Sequence, residues 1–215
     1  MIAELLTQMG NEVIGVDKNM GKVEALKEKI THTICLDATD PGAINNLPLR
    51  DTDVIMVCIG ENEGANLLAT ALMKQQNPKR LISRAVSPLH ETILEAMGVT
   101  EIVHPEEEAA KRWSNKLEMK DVVDSFELCD GYSIVEVQAP KRFIDKTIGE
   151  IQLRNLYNLL ALTIIKMNEE KNLLGVSRKV QRIKGVATAE TILREGDIMV
   201  LYGHINNIKK FIGDD

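Results

Sequence analysis

Apolar positions along the first half of the chain switch between helical spacing and short unbroken runs. Ile2, Leu5, Leu6 and Met9 recur at helical intervals and predict a helix that stops at Gly10. Val13, Ile14 and Val16 follow as a β-branched run ending on Asp17, the pattern of a buried strand with a lone carboxylate at its carboxyl end. Met20, Val23, Leu26 and Ile30 form the next stripe, with Lys22, Glu24, Lys27 and Glu28 on its wet side, and the short strand THTICL comes after it. The run DVIMVCIG is wholly apolar between Asp53 and Gly60, which predicts a central strand covered on both faces. Helix ANLLATALMKQ, strand RLISRAVS, helix HETILEAMG and strand EIVHP continue the alternation.

Strictly alternating strands and helices with short loops predict an α/β fold: a Rossmann-like, doubly wound parallel sheet over residues 1–105. The first strand and glycine turn of such a sheet are missing from the pattern, because a helix comes first. After Pro105, Ala109, Ala110, Trp113 and Leu117 mark a helix to about Lys120, so residues 106–121 read as a connection. Beyond it the pattern changes. Strands YSIVEV, LLALTIIKM and DIMVLYG, a short helix from Thr147 to Leu153 and the tight turn Glu195-Gly196-Asp197 predict a small α+β domain over residues 122–215.

Bulk composition removes several function classes. Twenty-six basic against 32 acidic residues leave a net charge of -6, which disfavours broad contact with nucleic acid or anionic lipid. An aromatic content of 3% argues against surfaces that stack bases or sugars. Cys35, Cys58 and Cys129 are odd in number and sit in apolar, strand-like contexts, so they are expected to be reduced core residues of a cytosolic protein. No apolar stretch approaches the ~20 residues of a membrane helix, and the amino end shows neither a basic n-region nor a cleavage site. Any membrane role is therefore expected to be played from the cytoplasmic face.

Candidate chemistry gathers at the predicted carboxyl ends of the strands, where open α/β sheets bind ligands. Asp17, with Lys18 beside it, has two readings: a carboxylate that accepts the ribose hydroxyls of ATP, ADP or NAD(H) while repelling a 2′-phosphate, or a cap for the helix KNMGKVEAL. In LDATD, a small Ala38 lets an adenine ring lie against the backbone, and Asp37 and Thr39 can bond its edge. Asp40 reads as a helix cap with Pro41 at the first helical position. Gly60 and Glu61 fall where such a sheet receives a phosphate or second ribose, and Arg84 faces either the ligand or an open edge. Glu106 to Glu108 suit a helix dipole without further function, though a carboxylate cluster could meet a symmetry mate and hold a cation. The histidines show no metal-ligand spacing, and G-x-S-x-G, H-E-x-x-H and P-loop motifs are absent. The basic stretch SRKVQRIKG reads as a solvated hairpin.

With Asp17, ATD at 38–40, the Gly60-Glu61 turn, HPE at 104–106 and the run APKRFIDKTIGEIQLRNLYN…EGDIMVLYGH, the whole chain resembles the TrkA/KtrA family. These are the RCK (regulator of potassium conductance) subunits of bacterial potassium uptake systems. The resemblance implies a nucleotide-binding lobe followed by an RCK C-lobe, and a regulatory protein rather than an enzyme. It implies dimers assembling into an octameric ring on a membrane-embedded, TrkH/KtrB-like potassium-conducting subunit, gated by an adenine nucleotide (ATP/ADP) or NAD(H). Asp17 would hold the ribose, Asp37, Ala38 and Thr39 the adenine, Gly60 and Glu61 the phosphate and second ribose. Arg84 would lie near the phosphates and Glu106 at the dimer interface, where some members bind a cation; some bind cyclic di-AMP between paired C-lobes. The family's G-x-G-x-x-G turn is expected to precede Met1, because a sheet without its first strand would keep two open edges in its middle. An NAD-dependent oxidoreductase and a ligand-free structural partner of an intact ring subunit are the alternatives; the first lacks an evident His/Arg/Asp set for hydride transfer.

Overall fold

The computed structural model describes residues 1–119, 121–171, 177–183 and 185–213. The chain divides into two compact units, Met1–Glu106 and Glu107–Asp215.

The first unit runs α1 (Ile2–Gln8), β1 (Ile14–Asp17), α2 (Met20–Leu26), β2 (His32–Cys35), α3 (Pro41–Ile44), β3 (Ile55–Val57), α4 (Glu63–Gln75), β4 (Leu81–Arg84), α5 (Pro88–Ala96), β5 (Glu101–Val103) and the start of α6 (Pro105–Glu118). All its ladders are parallel, as βα alternation requires. β1 pairs with β2 from Ile14↔His32 to Asp17↔Cys35, and β3, β4 and β5 pair in that order. Short polar side chains start the helices: Asn19 caps α2, Asp40 caps α3 with Pro41 behind it, Asn62 caps α4 and Ser87 caps α5. Ile44, Val57, Ala69 and Met73 form one buried cluster, and Ala85, Leu94 and Val99 another.

Three expectations need correction. The run ending at Asp17 is half-buried along its length, and DVIMVCIG shortens to the edge strand β3, in which Val57 alone is buried. The reason is common to both. Among the described residues neither β1 nor β3 has a ladder partner on its second side, so neither is enclosed as a central strand would be. The three cysteines are free but exposed: Cys35 ends an outer strand, Cys58 lies one residue past the β3 ladder, and Cys129 sits in a turn.

The second unit holds the rest of α6, then β6 (Val122–Glu127), β7 (Tyr132–Gln138), α7 (Ile148–Ile151), α8 (Leu153–Tyr157), β8 (Leu160–Lys171), β9 (Ser177–Ile183), β10 (Ile198–His204) and α9 (Ile205–Gly213). Its sheet is antiparallel, ordered β6-β7-β10-β8-β9. Val135, Val137, Leu193, Met199, Leu201, Ile208 and Phe211 are its fully enclosed core, with Phe143 stacked on Phe211 at 5.3 Å between centroids. Thr147 and Glu150 cap α7 reciprocally. Gly196 closes the turn before β10 at φ +83°, where other residues are strained. In the stretch expected to be a solvated hairpin, β9 pairs with β8 and Gln181, Arg182 and Ile183 are exposed. The connecting residues 172–176 and Lys184 lie outside the described residues.

Candidate functional site

β1, β2, β3 and β4 each end on or just before a residue singled out from the sequence, so these residues share the carboxyl edge of the first unit. Asp17 is the last residue of β1. It does not cap α2, which Asn19 does by accepting from the Gly21 and Lys22 amides. Instead Oδ1 of Asp17 accepts the Asn19 amide at 2.8 Å, and its other oxygen lies 3.9 Å from the Lys22 ammonium. Lys22 also donates to Glu61 at 3.2 Å. One cation thus stands between the carboxylate that ends β1 and the carboxylate that follows β3.

Two residues past β2, Asp37 accepts both the amide and the hydroxyl of Thr39, at 2.9 and 2.7 Å. These bonds, helped by the Lys18 ammonium, hold its carboxyl below the usual carboxylate range. Lys18 is tied to the same loop through its carbonyl, 3.6 Å from the Cys35 sulfur. Ala38 packs against the Ile44 and Val57 cluster.

Gly60 follows β3, and the guanidinium of Arg84 lies directly on it: a Cβ at this position would collide with Nη1, Cζ and Nη2. Arg84 ends β4, reaches the Cys58 carbonyl at 3.5 Å and forms an ion pair with Glu106 in the first turn of α6. Its Nε is buried without a partner. The structure therefore gathers Asp17, Lys22 and Glu61 in one group and Gly60, Arg84 and Glu106 in a second, continuous with the first through the Gly60–Glu61 peptide. Among the described residues no group of three His, Cys, Asp or Glu is arranged to hold a metal ion, and no helix is long and apolar enough to cross a membrane.

Two participants escape the sequence reading. Lys22 looked like an ordinary wet-face residue of α2. Asn66 sits inside the apolar helix α4, yet it is fully buried and donates to the carbonyls of Ile59 and Arg84, at 2.9 and 3.2 Å. The available signal was a polar pair, Asn66 and Thr70, spaced four residues apart on an otherwise apolar stripe.

The edge presents two carboxylates, Asp17 and Glu61, that can accept hydroxyl protons, a half-buried guanidinium, Arg84, that can pair with an anion, and at Gly60 a stretch of backbone free of side chain.

Comparison with known proteins identifies the family. The TrkA-N domain model matches residues 1–105. Ktr system potassium uptake protein C of Bacillus subtilis is 30% identical over 98% of this chain and 89% of its own, and Ktr system potassium uptake protein A of the same organism is 30% identical over the same shares. Among solved structures, the GsuK RCK domain superposes with a TM-score of 0.64 at 18% identity, and the GsuK channel bound to NAD with 0.64 at 17%. Each covers 99% of this chain, which spans 45% and 37% of those longer chains. The chain belongs to the family of Ktr potassium uptake proteins, with a TrkA-N domain as its first unit.

Proposed function

We propose that this protein is a nucleotide-sensing regulatory subunit of a potassium uptake system, acting from the cytoplasmic side on a membrane-embedded potassium-conducting partner. The observation that carries the reading is the pairing of two half-sites at one edge: the carboxylates Asp17 and Glu61 held about one Lys22 ammonium, and Arg84 laid on Gly60. Asp17 receives the adenosine ribose, Asp37 and Thr39 with Ala38 and Lys18 line the adenine side, and Gly60, Glu61 and Arg84 face the phosphates or a second ribose. The membership in the Ktr family supports potassium as the transported ion. The NAD in the related GsuK channel supports a dinucleotide or an adenine nucleotide as ligand.

In this reading no bond is broken. The ligand acts by binding one conformation of an oligomer better than another, and its differential affinity is all that it can contribute to gating. Homodimers assembling into an octameric ring are the form in which the change would reach the membrane partner, with Glu106 as a candidate for an interface cation and cyclic di-AMP as a second ligand of paired C-lobes.

The test is calorimetric titration of the protein with ADP, ATP, NAD, NADH and cyclic di-AMP, followed by ion flux in vesicles carrying its membrane partner. Saturable binding of one adenine nucleotide that changes flux is the expected result. Flux control by the protein without any nucleotide binding would leave a structural partner, and substrate turnover with NAD would leave a dehydrogenase.

A further inference from the structure

The side-chain amide of Asn66 is enclosed by five polar partners, all of them out of water. Its Nδ2 donates to Ile59 O and Arg84 O. Its Oδ1 accepts from Ser83 at 3.1 Å and Thr70 at 3.3 Å, and His90 Nε2 stands 3.1 Å away. Thr70 and Ser83 also touch each other at 3.0 Å. Asn66, Thr70 and Ser83 have no exposed surface and His90 is 1% exposed. The orientation of the amide follows from its surroundings: two carbonyls demand the NH2 group, and the hydroxyls need the oxygen.

The location of the two carbonyls gives the cluster its meaning. The β3–β4 ladder ends at Val57↔Ser83, so nothing in the sheet ties the chains together beyond that pair. Ile59 lies two residues past Val57 and Arg84 one residue past Ser83, and the residues that follow or coincide with them are Gly60, Glu61 and Arg84 itself. We infer that Asn66 is the positioning residue for the phosphate side of the site: by clamping the Ile59 and Arg84 carbonyls it holds the Gly60 turn under the Arg84 guanidinium. Loss of the Asn66 donors would leave two carbonyls and the rest of a buried polar cluster to find other partners, so these two bonds favour one arrangement of the strand ends. Asp17, Asp37 and Thr39 belong to the other sheet piece and make no bond with the cluster.

This rests on the nucleotide reading of Gly60, Glu61 and Arg84, and the experiment separates the two. Adenosine and ADP are titrated into the wild type and into Asn66→Asp, which keeps the acceptor and loses both donors, with Asn66→Ser as an uncharged second variant. Thr70→Val is the control, because it removes a neighbour of Oδ1 and spares both carbonyl bonds. The expected result is ADP affinity lowered by about tenfold in the Asn66 variants with adenosine affinity kept, and an unchanged ratio in Thr70→Val. Equal losses for both ligands, or the same ratio change in Thr70→Val, overturn the inference in favour of a general structural role. Should the wild type bind neither ligand, the nucleotide reading fails, and hydrogen exchange on the free protein still decides the clamp. Amides at 60–62 exchange about tenfold faster in Asn66→Ser than in Thr70→Val if the clamp is real, and equally if it is not.

Discussion

Arg84 is held by Glu106, and its guanidinium lies over Gly60 at the carboxyl edge of the first unit. The Arg84 side chain is 26% exposed and that of Glu106 65%, so the acid sits on the solvent side and the base beneath it. In the proposed reading a phosphate would compete with this carboxylate for Arg84. Glu106→Gln is expected to tighten ADP binding by up to about fivefold, the range of a partly exposed ion pair, while Arg84→Ala weakens it. Calorimetry on both variants checks the sign; weaker binding in Glu106→Gln would mean that the acid itself contacts the ligand or its cation.

Gly60→Ala probes the same contact from the backbone side. The new methyl would displace the guanidinium, which is the free end of a flexible side chain. Thermal unfolding is therefore expected to change by less than about 1 kcal/mol while ADP affinity falls. A large stability loss would place the constraint at Gly60 in the backbone rather than in Arg84.

The division of labour between Asp17 and Asn19 predicts opposite phenotypes. Asn19→Ala removes the cap of α2 and should cost about 1 kcal/mol of stability, with adenosine binding intact. Asp17→Ala should abolish adenosine binding at a smaller cost, since its one short bond goes to the Asn19 amide. Denaturant unfolding alongside adenosine titration distinguishes them, and a reversal of the two patterns would make Asp17 a structural residue.

Asp37 sets a pH window. Its carboxyl is held below the ordinary value by Thr39, so the folded chain keeps it ionised where the unfolded chain begins to protonate. The stability this adds is present above the ordinary pKa of about 3.9 and is lost as the pH falls through the lower folded value. Thr39→Val should unfold more readily than wild type near neutral pH, and the difference should shrink under acid titration. A gap that persists below that window would assign the effect of Thr39 to packing.

The order of strands and helices was readable because each carries a distinct apolar period, and Asp40-Pro41 and the Glu195-Gly196 turn were readable because their chemistry is local. What the sequence concealed depends on neighbours that a linear pattern does not contain. DVIMVCIG has the composition of a central strand, yet only Ile55–Val57 finds a ladder, and Cys58 is exposed as a result. Strand β6, VVDSFE, mixes polar and apolar residues, and α9, INNIKKFIG, follows β10 without a break, so both blurred into their surroundings. Of the candidate site residues, Asp17, Gly60 and Arg84 stand out in the sequence by their position at strand ends. Lys22 and Asn66 did not, since a lysine on a wet face and an asparagine in a helix acquire their roles from partners 39 and 18 residues away.

The open sides of β1 and β3 matter at the bench as well as in the fold. Among the described residues each leaves amide and carbonyl groups without a ladder partner, which an extended peptide could pair with. A preparation of these 215 residues should therefore be least soluble where its net charge of -6 is neutralised or screened. Acidic pH and high salt become the conditions under which self-association through strand addition would first interfere with measuring a ligand.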